Sequence, residues 1–496
     1  MNPAFPQPSI SASHLLSGFA EALPAELPDV RRLCVDSREL SEGDVFVALR
    51  GYAADGRRYL REAESAGAAF ALVDEALPET SFRAPSMPCI VIPELREKLG
   101  FIASRLYGEP SKRLHLAAVT GTNGKTTVSQ LLAQMIRLAG YDCGVIGTLG
   151  VSLESQPTAT EHTTPDPVAL QEVLARWAGN AVPFACMEAS SHALAQGRLN
   201  GVEVDTAVFT NLTRDHLDFH GSMQAYGEAK TRLFQLAGVR TAVVNADDDF
   251  ADALCSKLSQ HTGLIRFSAQ RKDVELYASK LTASLDGLRL RIDCDWGRAE
   301  LRCPLLGEFN ASNLLAAFAA ALKAGLPFET IASAVERLQP VVGRMQPLRR
   351  SGSPLVVVDY AHTPDALAKA LQTLRPLCKG ALIVVFGCGG DRDRGKRALM
   401  AEVASQYADR AVITSDNPRS EDPLSILKEI AASMSGEHVL QEDRGEAIGQ
   451  ALASARPGDC VLVAGKGHED YQIVGGETRR FSDLECAQDA LARYAA

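Results

Sequence analysis

The sequence predicts an α/β protein of three domains with mostly parallel sheets, and three observations support this. The chain has 496 residues, a length that corresponds to roughly three domains of about 150 residues each. Two stretches rich in Pro, Gly and charged residues, 107–114 and 338–354, each precede an apolar strand pattern. Apolar runs alternate with helical patterns, as in parallel sheets covered on both faces. We therefore predict domains at residues 1–110, 111–340 and 341–496.

The first predicted domain is the least regular of the three. The runs "GDVFVAL" and "AAFALVDEA" indicate strands of a small α/β unit. Two short polar stretches, "CVDSREL" (34–40) and "GYAADGRRY" (51–59), indicate surface loops when they are taken alone.

The middle segment contains a glycine-rich stretch, "GTNGKTT" (121–127), between the predicted strand "LHLAAVT" and the predicted helix "VSQLLAQMIRLAG". It departs from the usual phosphate-loop formula, which requires glycine at the position of Val119. A strand-to-helix turn is nevertheless where backbone N–H groups and the helix dipole hold phosphate oxygens. Lys125 is suited to neutralise phosphates and the Thr126 hydroxyl to bind Mg²⁺. The alternative is a glycine turn that merely begins a helix, but the combination favours a nucleotide site.

Further strands are predicted at "PFACMEA", "VDTAVFT" and "TAVVNA". The first ends in Glu188, and the segment "TNLTRDHLDFHG" contains His216 and His220 four residues apart. This spacing is compatible with a zinc pair, but no cysteine cluster accompanies it, so we do not predict zinc. Lys230, taken alone, indicates an exposed lysine on a helix.

The last segment alternates strands with helices most clearly. The predicted strands are "PLVVVDY", "ALIVVFG", "RAVITSD" and "DCVLVAG", and the helices between them include "DALAKALQTL" and "PLSILKEIAASM". The polar stretch "TSDNPRSEDP" follows the third strand, at the edge of a parallel sheet where ligands usually bind.

Composition excludes several classes of protein. The formal net charge of −10 argues against a general nucleic-acid binder. No basic leader followed by an apolar run begins the sequence, and no uncharged apolar stretch reaches the roughly 18 residues of a membrane span. The eleven cysteines are scattered, with no C-x-x-C pair. We therefore expect a cytoplasmic protein with reduced cysteines that binds neither membranes nor nucleic acid.

Seven motifs together resemble the ATP-dependent Mur ligases of peptidoglycan synthesis, which are related to folylpolyglutamate synthetases. These motifs are "GTNGKTT", "MEASSH", "TNLTRDHLDFHG", "YGEAKTRLF", "GEFNASNLLAA", "GRMQ" and "DYAHTPDAL", and they follow the family order. The resemblance implies a UDP-substrate domain, a central phosphate-loop ATPase domain and a C-terminal Rossmann-like domain. It also implies ATP and Mg²⁺ as cofactors, and a monomer.

Within the family, the chain is most similar to the members that add meso-diaminopimelate to UDP-N-acetylmuramoyl-L-alanyl-D-glutamate. By this resemblance, ATP phosphorylates the D-glutamate side-chain carboxylate and the incoming amine attacks the acyl phosphate. The catalytic positions implied are Lys125, Glu188, His216 and Lys230, and the metal positions are Thr126, Glu188, His216 and Lys230. Lys230 matches a carbamylated lysine of the family; an ordinary ammonium that contacts phosphate is the alternative.

The resemblance also implies binding positions for the other ligands. Those for the nucleotide are Gly121, Thr122, Asn123, Gly124, Lys125, Thr126, Thr127, Asn310, Arg344 and Asp359. Asn310 also has a purely structural interpretation, as a helix N-cap. Those for the UDP-sugar peptide are Val35, Ser37, Tyr52, Ala53, Ala54, His162, Thr163, Thr164, Ser190, Gln196 and Arg198. His162 stands where the family pattern has asparagine.

The identity of the added amino acid depends on the segment after the third C-terminal strand. The implied positions are Arg392, Asp416, Asn417, Pro418, Arg419, Gly465 and Glu469. Arg419 is suited to bind the distal carboxylate of meso-diaminopimelate in a bidentate fork, and lysine lacks this carboxylate. The alternative for this segment is a turn without function. The alternatives for the whole protein are a lysine-adding or folate-type ligase, an ATPase that hydrolyses ATP alone, and an inactive binding protein.

Overall fold

The computed structural model describes residues 9–50, 55–75, 85–153, 157–158, 160 and 162–494. Its principal sheets have four, ten and six strands and follow one another along the chain. The predicted α/β class with mostly parallel sheets is confirmed; the domain limits at 110 and 340 stay a prediction. No helix among the described residues is long and apolar enough to cross a membrane.

The four-stranded sheet is formed by the first part of the chain and is parallel throughout. Its strands, in spatial order, are Leu33–Cys34, Val45–Ala48, Phe70–Val73 and Cys89–Val91, and Ile10–Ser11 pairs separately with Asp29–Val30. The helices are Ala12–Leu16, Leu60–Ser65 and Leu95–Leu106, with 3₁₀ turns at Ser37–Glu39, Gly56–Tyr59 and Pro110–Arg113. The predicted strands at "GDVFVAL" and "AAFALVDEA" are both present.

The ten-stranded sheet is parallel in its middle and antiparallel at its ends. In spatial order its strands are Gly297–Cys303, Gly287–Cys294, Leu276–Ser284, Gly263–Ser268, Thr241–Asn245, Thr206–Phe209, His115–Thr120, Phe184–Glu188, Cys143–Gly147 and Gly150–Ser152. The helices are Lys125–Leu138, Pro167–Gly179, Ser191–Ala195, Leu217–His220, Met223–Thr231, Ala251–Cys255, Phe309–Lys323 and Phe328–Val335, and Arg232–Gln235 is a 3₁₀ turn. Two apolar clusters cover its two faces, since neighbouring residues of the strand His115–Thr120 belong to different clusters.

The six-stranded sheet is parallel except at one edge, where Gln346–Leu348 pairs antiparallel with Leu355–Asp359. The remaining order is Cys460–Ala464, Leu382–Phe386, Arg410–Ile413 and Glu437–Leu440. A separate hairpin joins Tyr471–Val474 to Glu477–Arg480. The helices are Pro364–Leu374, Gly395–Tyr407, Pro423–Ala431, Arg444–Ser454 and Asp483–Arg493, and Arg375–Leu377 is a 3₁₀ turn. All four strands predicted here are present.

One structural interpretation is wrong. Asn310 does not cap a helix: the helix Phe309–Lys323 has Glu308 at its N-cap position, without a side-chain cap hydrogen bond. Asn310 lies in the first turn, where its Nδ2 donates to the Leu306 carbonyl at 2.7 Å and its Oδ1 accepts from Asn313 Nδ2 at 2.8 Å. Those two bonds fix the amide at the start of a helix that faces the glycine-rich loop.

Candidate active site

A cleft of about 970 Å³ is lined by residues from the ten-stranded and six-stranded units. The predicted residues in its lining are Thr122, Asn123, Gly124, Lys125, Thr126, Thr127, His162, Thr163, Glu188, Ser190, Gln196, Arg198, His216, Lys230, Asn310, Arg344, Asp359, Arg392, Arg419 and Glu469. Residues predicted for the nucleotide, the metal and the incoming amino acid therefore share one cavity.

The glycine-rich loop is packed tightly against neighbouring elements. Gly121 and Gly124 have φ values of 150° and 88°, and Gly124 is the N-cap of the helix Lys125–Leu138. A Cβ at Gly121 would overlap Thr210 Oγ1, and one at Gly124 would overlap Asn313 Oδ1. Only glycine fits both positions, because the backbone conformation and the space each exclude a side chain. The loop's expected place between strand and helix is confirmed.

Lys125 lies against its own loop. Its Nζ donates to the carbonyls of Gly121 and Thr122, both at 2.8 Å. Burial lowers the pKa of the Lys125 ammonium, although Glu188 and Asp215 oppose this. A buried lysine beside backbone N–H groups is a site for an anion, because a bound anion would favour the charged form of the side chain.

Thr126 and Glu188 form a pair of buried oxygen ligands. Thr126 Oγ1 donates to Glu188 Oε2 at 3.0 Å, and both residues are almost fully buried. The Glu188 carboxylate also accepts from the Thr148 N–H at 2.7 Å and from the Thr148 hydroxyl at 3.0 Å. Carboxylate and hydroxyl oxygens at a phosphate loop are ligands that Mg²⁺ prefers. No group of three or more His, Cys, Asp or Glu metal ligands occurs among the described residues, so phosphate oxygens and water would have to complete the coordination.

Lys230 is not an exposed lysine, because only 1% of its surface is accessible. Its Nζ lies 4.2 Å from the centroid of the Tyr226 ring. Burial, reinforced by repulsion from Lys125, lowers the pKa of the Lys230 amine well below its usual value. Burial thus shifts the protonation equilibrium of Lys230 toward the neutral amine, and the carboxylates of Asp215 and Asp248 oppose this shift.

His216 stands beside an acidic side chain and a second histidine. Its Nε2 lies 3.4 Å from Asp215 Oδ2, and its ring centroid lies 4.8 Å from that of His192. Burial lowers the pKa of His216 to about 3, with Asp215 opposing the shift. The imidazole is therefore neutral at physiological pH, which is the form that binds metals.

Hydrogen bonds connect the residues predicted for the peptide with Glu188. Thr163 and Thr148 share a hydroxyl hydrogen bond at 3.2 Å. Buried Thr164 donates to the Glu188 carbonyl at 2.7 Å, behind the cavity wall. The Arg198 guanidinium donates to Gln196 Oε1 at 2.7 and 3.0 Å and to the Thr164 carbonyl at 2.9 Å.

The unit that follows residue 340 contacts the phosphate loop directly. Arg344 Nη2 donates to Thr126 Oγ1 at 3.0 Å, while its guanidinium stacks 4.4 Å above the Tyr360 ring centroid. Among the described residues, the buried Nε of Arg344 has no hydrogen-bond partner. Asp359 accepts from the Met345 N–H at 2.6 Å, and burial raises its pKa.

The residues predicted for the incoming amino acid separate into two layers. Arg392, Arg419 and Glu469 line the cavity. Behind them, Asn417 is buried, with its amide between Glu469 Oε2 and Lys466 Nζ at 3.0 Å each. Asp416, Pro418 and Gly465 complete this inner layer, where a Cβ on Gly465 would lie 2.8 Å from Asp416 Oδ2.

A buried ion pair supports this inner layer. Arg444 and Asp483 have fully buried side chains and are joined by two hydrogen bonds of 2.7 Å. Arg444 also donates to the carbonyl of Ser415 at 3.3 Å and to that of Ala464 at 2.9 Å. These carbonyls directly precede Asp416 and Gly465.

The residues predicted for the uridine lie apart from the cavity. Val35 is exposed and Ser37 begins a 3₁₀ turn in the four-stranded unit, and neither lines the cleft. Tyr52, Ala53 and Ala54 lie outside the described residues.

Several lining residues are not among the predicted ones. They include Thr148, His192, Asp215, Tyr226, Asn313, Tyr360, His362 and Tyr471. Most of them lie inside or next to the seven motifs, so motif membership was an available signal. Tyr471 follows the predicted Glu469 by two residues. Thr148 has no such signal, because only the folded chain brings it to the cavity.

Comparison with known proteins identifies three domain types along the chain. Residues 29–107 match the Mur ligase family catalytic domain, residues 119–321 the Mur ligase middle domain and residues 343–467 the Mur ligase glutamate ligase domain. The chain is 47% identical over 472 residues to the UDP-N-acetylmuramoyl-L-alanyl-D-glutamate–2,6-diaminopimelate ligase of Chromobacterium violaceum, covering 94% of this chain and 95% of that protein.

Solved structures agree with these matches. A structure of a UDP-N-acetylmuramoyl-L-alanyl-D-glutamate–2,6-diaminopimelate ligase superposes with a TM-score of 0.70 at 37% identity, covering 98% of this chain and 99% of that chain. The MurF ligase from Thermotoga maritima in complex with ADP shares the fold, with a TM-score of 0.64 at 18% identity over 92% of this chain and 96% of that one.

Proposed function

Because this chain belongs to the Mur ligase family, we propose that it adds meso-diaminopimelate to the D-glutamate side-chain carboxylate of UDP-N-acetylmuramoyl-L-alanyl-D-glutamate. The reaction consumes ATP and forms ADP and phosphate. It belongs to the synthesis of peptidoglycan precursors in the cytoplasm, and the enzyme acts as a monomer. The name of the relative that is 47% identical over nearly its full length supports this substrate assignment.

One observation carries the proposal: the phosphate loop, the buried Lys230 and Arg419 line the same cavity. An amide ligase must bring an activated carboxylate and an amine together. The phosphate loop is suited to hold ATP, and Arg419 with Glu469 is suited to hold the zwitterionic head of a diamino acid. A cavity that served ATP hydrolysis alone would not need Arg419 and Glu469 as a site for an amino acid.

The chemistry requires two steps. An oxygen of the D-glutamate carboxylate attacks the γ-phosphorus of ATP, the bond to the ADP oxygen breaks, and an acyl phosphate forms. The neutral amine of meso-diaminopimelate then attacks the acyl carbon. The resulting tetrahedral intermediate loses a proton from nitrogen and expels phosphate, which leaves the amide.

Cationic side chains of this chain offset the repulsion between carboxylate and triphosphate in the first step. Lys125 would turn from its own loop carbonyls to the phosphate oxygens. The orphaned Nε of Arg344 supports an anion beside Thr126, because a buried guanidinium N–H is costly without an acceptor.

Thr126 and Glu188 would hold Mg²⁺ at the phosphates, and His216 with Lys230 would hold a second ion near the acceptor carboxylate. Bound Mg²⁺ supplies additional positive charge for the phosphoryl group. The buried hydroxyl and carboxylate 3.0 Å apart fit the first ion, and the neutral His216 imidazole fits the second.

Lys230 is proposed to be carbamylated. Only a neutral amine reacts with CO₂ to give an N-carboxylate, and burial favours the neutral amine at Lys230. The carboxylate formed would be an anionic metal ligand beside the Lys125 ammonium. An unmodified Lys230 that contacts phosphate is the competing assignment.

We assign the remaining parts of the substrates, which are the UDP-sugar peptide, the adenine and the incoming amino acid, to the residues predicted for them. Thr163, Ser190, Gln196 and Arg198 would contact the phosphates and peptide of the UDP-sugar, and Val35 and Ser37 the uridine. Asn310 would face the adenine and Asp359 the nucleotide from the opposite wall. In the amino-acid subsite, Arg419 and Arg392 would bind the distal carboxylate and Glu469 the ammonium. Contact of the ammonium with Asp416 and the Gly465 carbonyl would require the substrate to reach the inner layer behind the cavity lining.

Phosphate release by the purified protein tests the proposal. We expect release only with ATP, Mg²⁺, the UDP-linked dipeptide and meso-diaminopimelate together, and far less with L-lysine. Phosphate release from ATP alone would identify an ATPase. Preference for lysine, or for the addition of glutamate to a folate, would identify a related ligase. Absence of any turnover would identify a binding protein.

A further inference from the structure

The hairpin formed by Tyr471–Val474 and Glu477–Arg480 lies on the loop that contains Arg419. Two backbone hydrogen bonds join them: the Arg419 N–H donates to the Ile473 carbonyl at 3.0 Å, and the Gly475 N–H donates to the Arg419 carbonyl at 2.8 Å. Both backbone polar groups of Arg419 are thus bonded to the hairpin. Gly475 and Gly476 form its turn, with φ values of 58° and 82°.

Two further bonds involve side chains. Gln472 Nε2 donates to the Asp416 carbonyl at 2.7 Å, and the Ile473 N–H donates to Asn417 Oδ1 at 3.0 Å. Three of the four residues from Asp416 to Arg419 are therefore held by one short hairpin. At its start, Tyr471 lines the cavity beside Arg419.

Arg419 needs this support because its backbone is in the left-handed region, with a φ of 54°. This conformation is uncommon for a residue with a long side chain and persists where the surroundings impose it. The side chain is then directed along Gly390, whose carbonyl accepts from Arg419 Nη1 at 2.8 Å. A relaxed φ at Arg419 would redirect the guanidinium away from this position.

We propose that the hairpin Tyr471–Arg480 is the element that sets specificity for the incoming amino acid. It does so by holding Arg419 in the conformation that binds the distal carboxylate. Gln472 and Gly475 act as positioning residues, since they support the Arg419 loop and need not touch the substrate. The proposal rests on the function proposed above. It assigns part of the discrimination between meso-diaminopimelate and lysine to residues that are not among the positions predicted to bind the incoming amino acid.

Two variants test it against a matched control. Gly475→Val places a β-branched residue at φ 58° and distorts the turn that binds the Arg419 carbonyl. Gly436→Val is the control, because Gly436 also has a positive φ, 101°, with open space around it and lies in the same unit. Gln472→Ala is the milder second variant and removes only the bond to Asp416.

The measurements are kcat/KM for meso-diaminopimelate, the same constant for L-lysine at high concentration, KM for ATP and the thermal midpoint. For Gly475→Val we expect kcat/KM for meso-diaminopimelate to fall by about tenfold, given the usual strain of such backbone positions. Lysine use and KM for ATP should stay unchanged, so that the selectivity ratio falls. Gln472→Ala should shift the ratio in the same direction by a smaller factor, and Gly436→Val should leave it unchanged.

Equal losses for both amino acids, or an unchanged ratio in both hairpin variants, would overturn the proposal. If Gly475→Val does not fold, Gln472→Ala alone decides, since a retained ratio there contradicts the role of the hairpin. Failure of the proposed function is recognised separately, because the unaltered protein would then release no phosphate with meso-diaminopimelate.

Discussion

Arg344 donates a hydrogen bond to the Thr126 hydroxyl, which itself donates to Glu188, each at 3.0 Å. A residue of the C-terminal unit therefore touches the side chain best suited to bind Mg²⁺ in the central unit. Asn123 Nδ2 donates to Asp365 Oδ2 at 3.0 Å across the same boundary. The two units are thus closed on the phosphate loop.

The ion pair between Lys396 and Asp215 also joins these units, with Nζ and Oδ1 3.0 Å apart and Asp215 6% exposed. In Lys396→Ala the largely buried Asp215 carboxylate loses its ammonium partner and keeps the hydrogen bond from the His216 N–H, and the loss costs about 1–3 kcal/mol. We expect kcat to fall and KM for ATP to rise. Lys112→Ala, which removes an exposed pair with Glu109, is the control, and equal kinetics in the two variants would contradict a role in closure.

Replacement of Arg419 by alanine tests the carboxylate subsite directly. The lost charge-assisted contact is worth about 1.5–3 kcal/mol, so use of meso-diaminopimelate should fall by at least roughly tenfold. KM for ATP should change little, because the phosphate loop is untouched. Arg298→Ala, at an exposed pair with Asp293, provides the comparison, and identical turnover of diaminopimelate by the Arg419 variant and the unaltered protein would refute the assignment.

Glu188→Gln should weaken the use of Mg²⁺. The substitution keeps the size of the side chain but removes the negative charge beside Thr126. We expect the Mg²⁺ concentration for half-maximal phosphate release to rise by at least about tenfold. Removal of the metal with a chelator should abolish release in both proteins, and an unchanged Mg²⁺ titration would show that Glu188 does not hold the ion.

Carbamylation of Lys230 should make activity depend on CO₂. Protein prepared free of CO₂ should lose activity, and added bicarbonate should restore it. Lys230→Ala should be inactive and regain part of its activity with a small carboxylic acid that supplies the missing carboxylate. Carbon-13 bicarbonate gives a direct spectroscopic signal for the carbamate. Unchanged activity and metal affinity without CO₂ would instead favour an unmodified lysine.

Stability should decrease below neutral pH because of the partly buried histidine His468. Burial, with a contribution from Arg344, lowers the pKa of His468 to about 3. Between that value and the ordinary pKa of about 6.5, the unfolded chain binds a proton that the folded chain does not. The free energy of unfolding therefore falls as pH decreases through this range, by at most about 1.4 kcal/mol per pH unit for one histidine.

Urea unfolding at pH 7 and pH 5 measures this loss. The variant His468→Gln should lose less stability between the two pH values than the unaltered protein. His14→Gln is the control, because His14 is exposed on the first helix. The same loss in all three proteins would show that His468 does not contribute.

Buried parallel strands were the most predictable part of the fold. Leu382–Phe386 is buried at every position, so its sequence is a continuous apolar run. The antiparallel strands between Leu276 and Cys303 are not among the predicted elements, because one face is partly exposed and polar residues alternate with apolar ones. Such short alternation between charged residues gives a weaker signal than a continuous run.

The motif residues of the site were predictable, but their environments were not. Spacing cannot indicate that Lys230 is buried against Tyr226, since this depends on how the helix Met223–Thr231 packs. Asparagine is a good N-cap in general. Asn310 nevertheless lies in the first turn of its helix, because the helix begins one residue earlier and Glu308 is at the cap position. Thr148 lies outside all seven motifs and lines the cleft only because the fold brings it to Glu188, to which its N–H donates at 2.7 Å.

The buried pair of Arg444 and Asp483 has a consequence for how the chain is made. Asp483 opens the final helix, Asp483–Arg493, yet it holds the arginine that fixes the carbonyls before Asp416 and Gly465. The subsite proposed for the incoming amino acid therefore cannot be completed until residue 483 has been synthesised, long after the phosphate loop. A truncated copy that ends before residue 483 would keep the phosphate loop. It would lack the carboxylate that holds Arg444 behind Asp416 and Gly465.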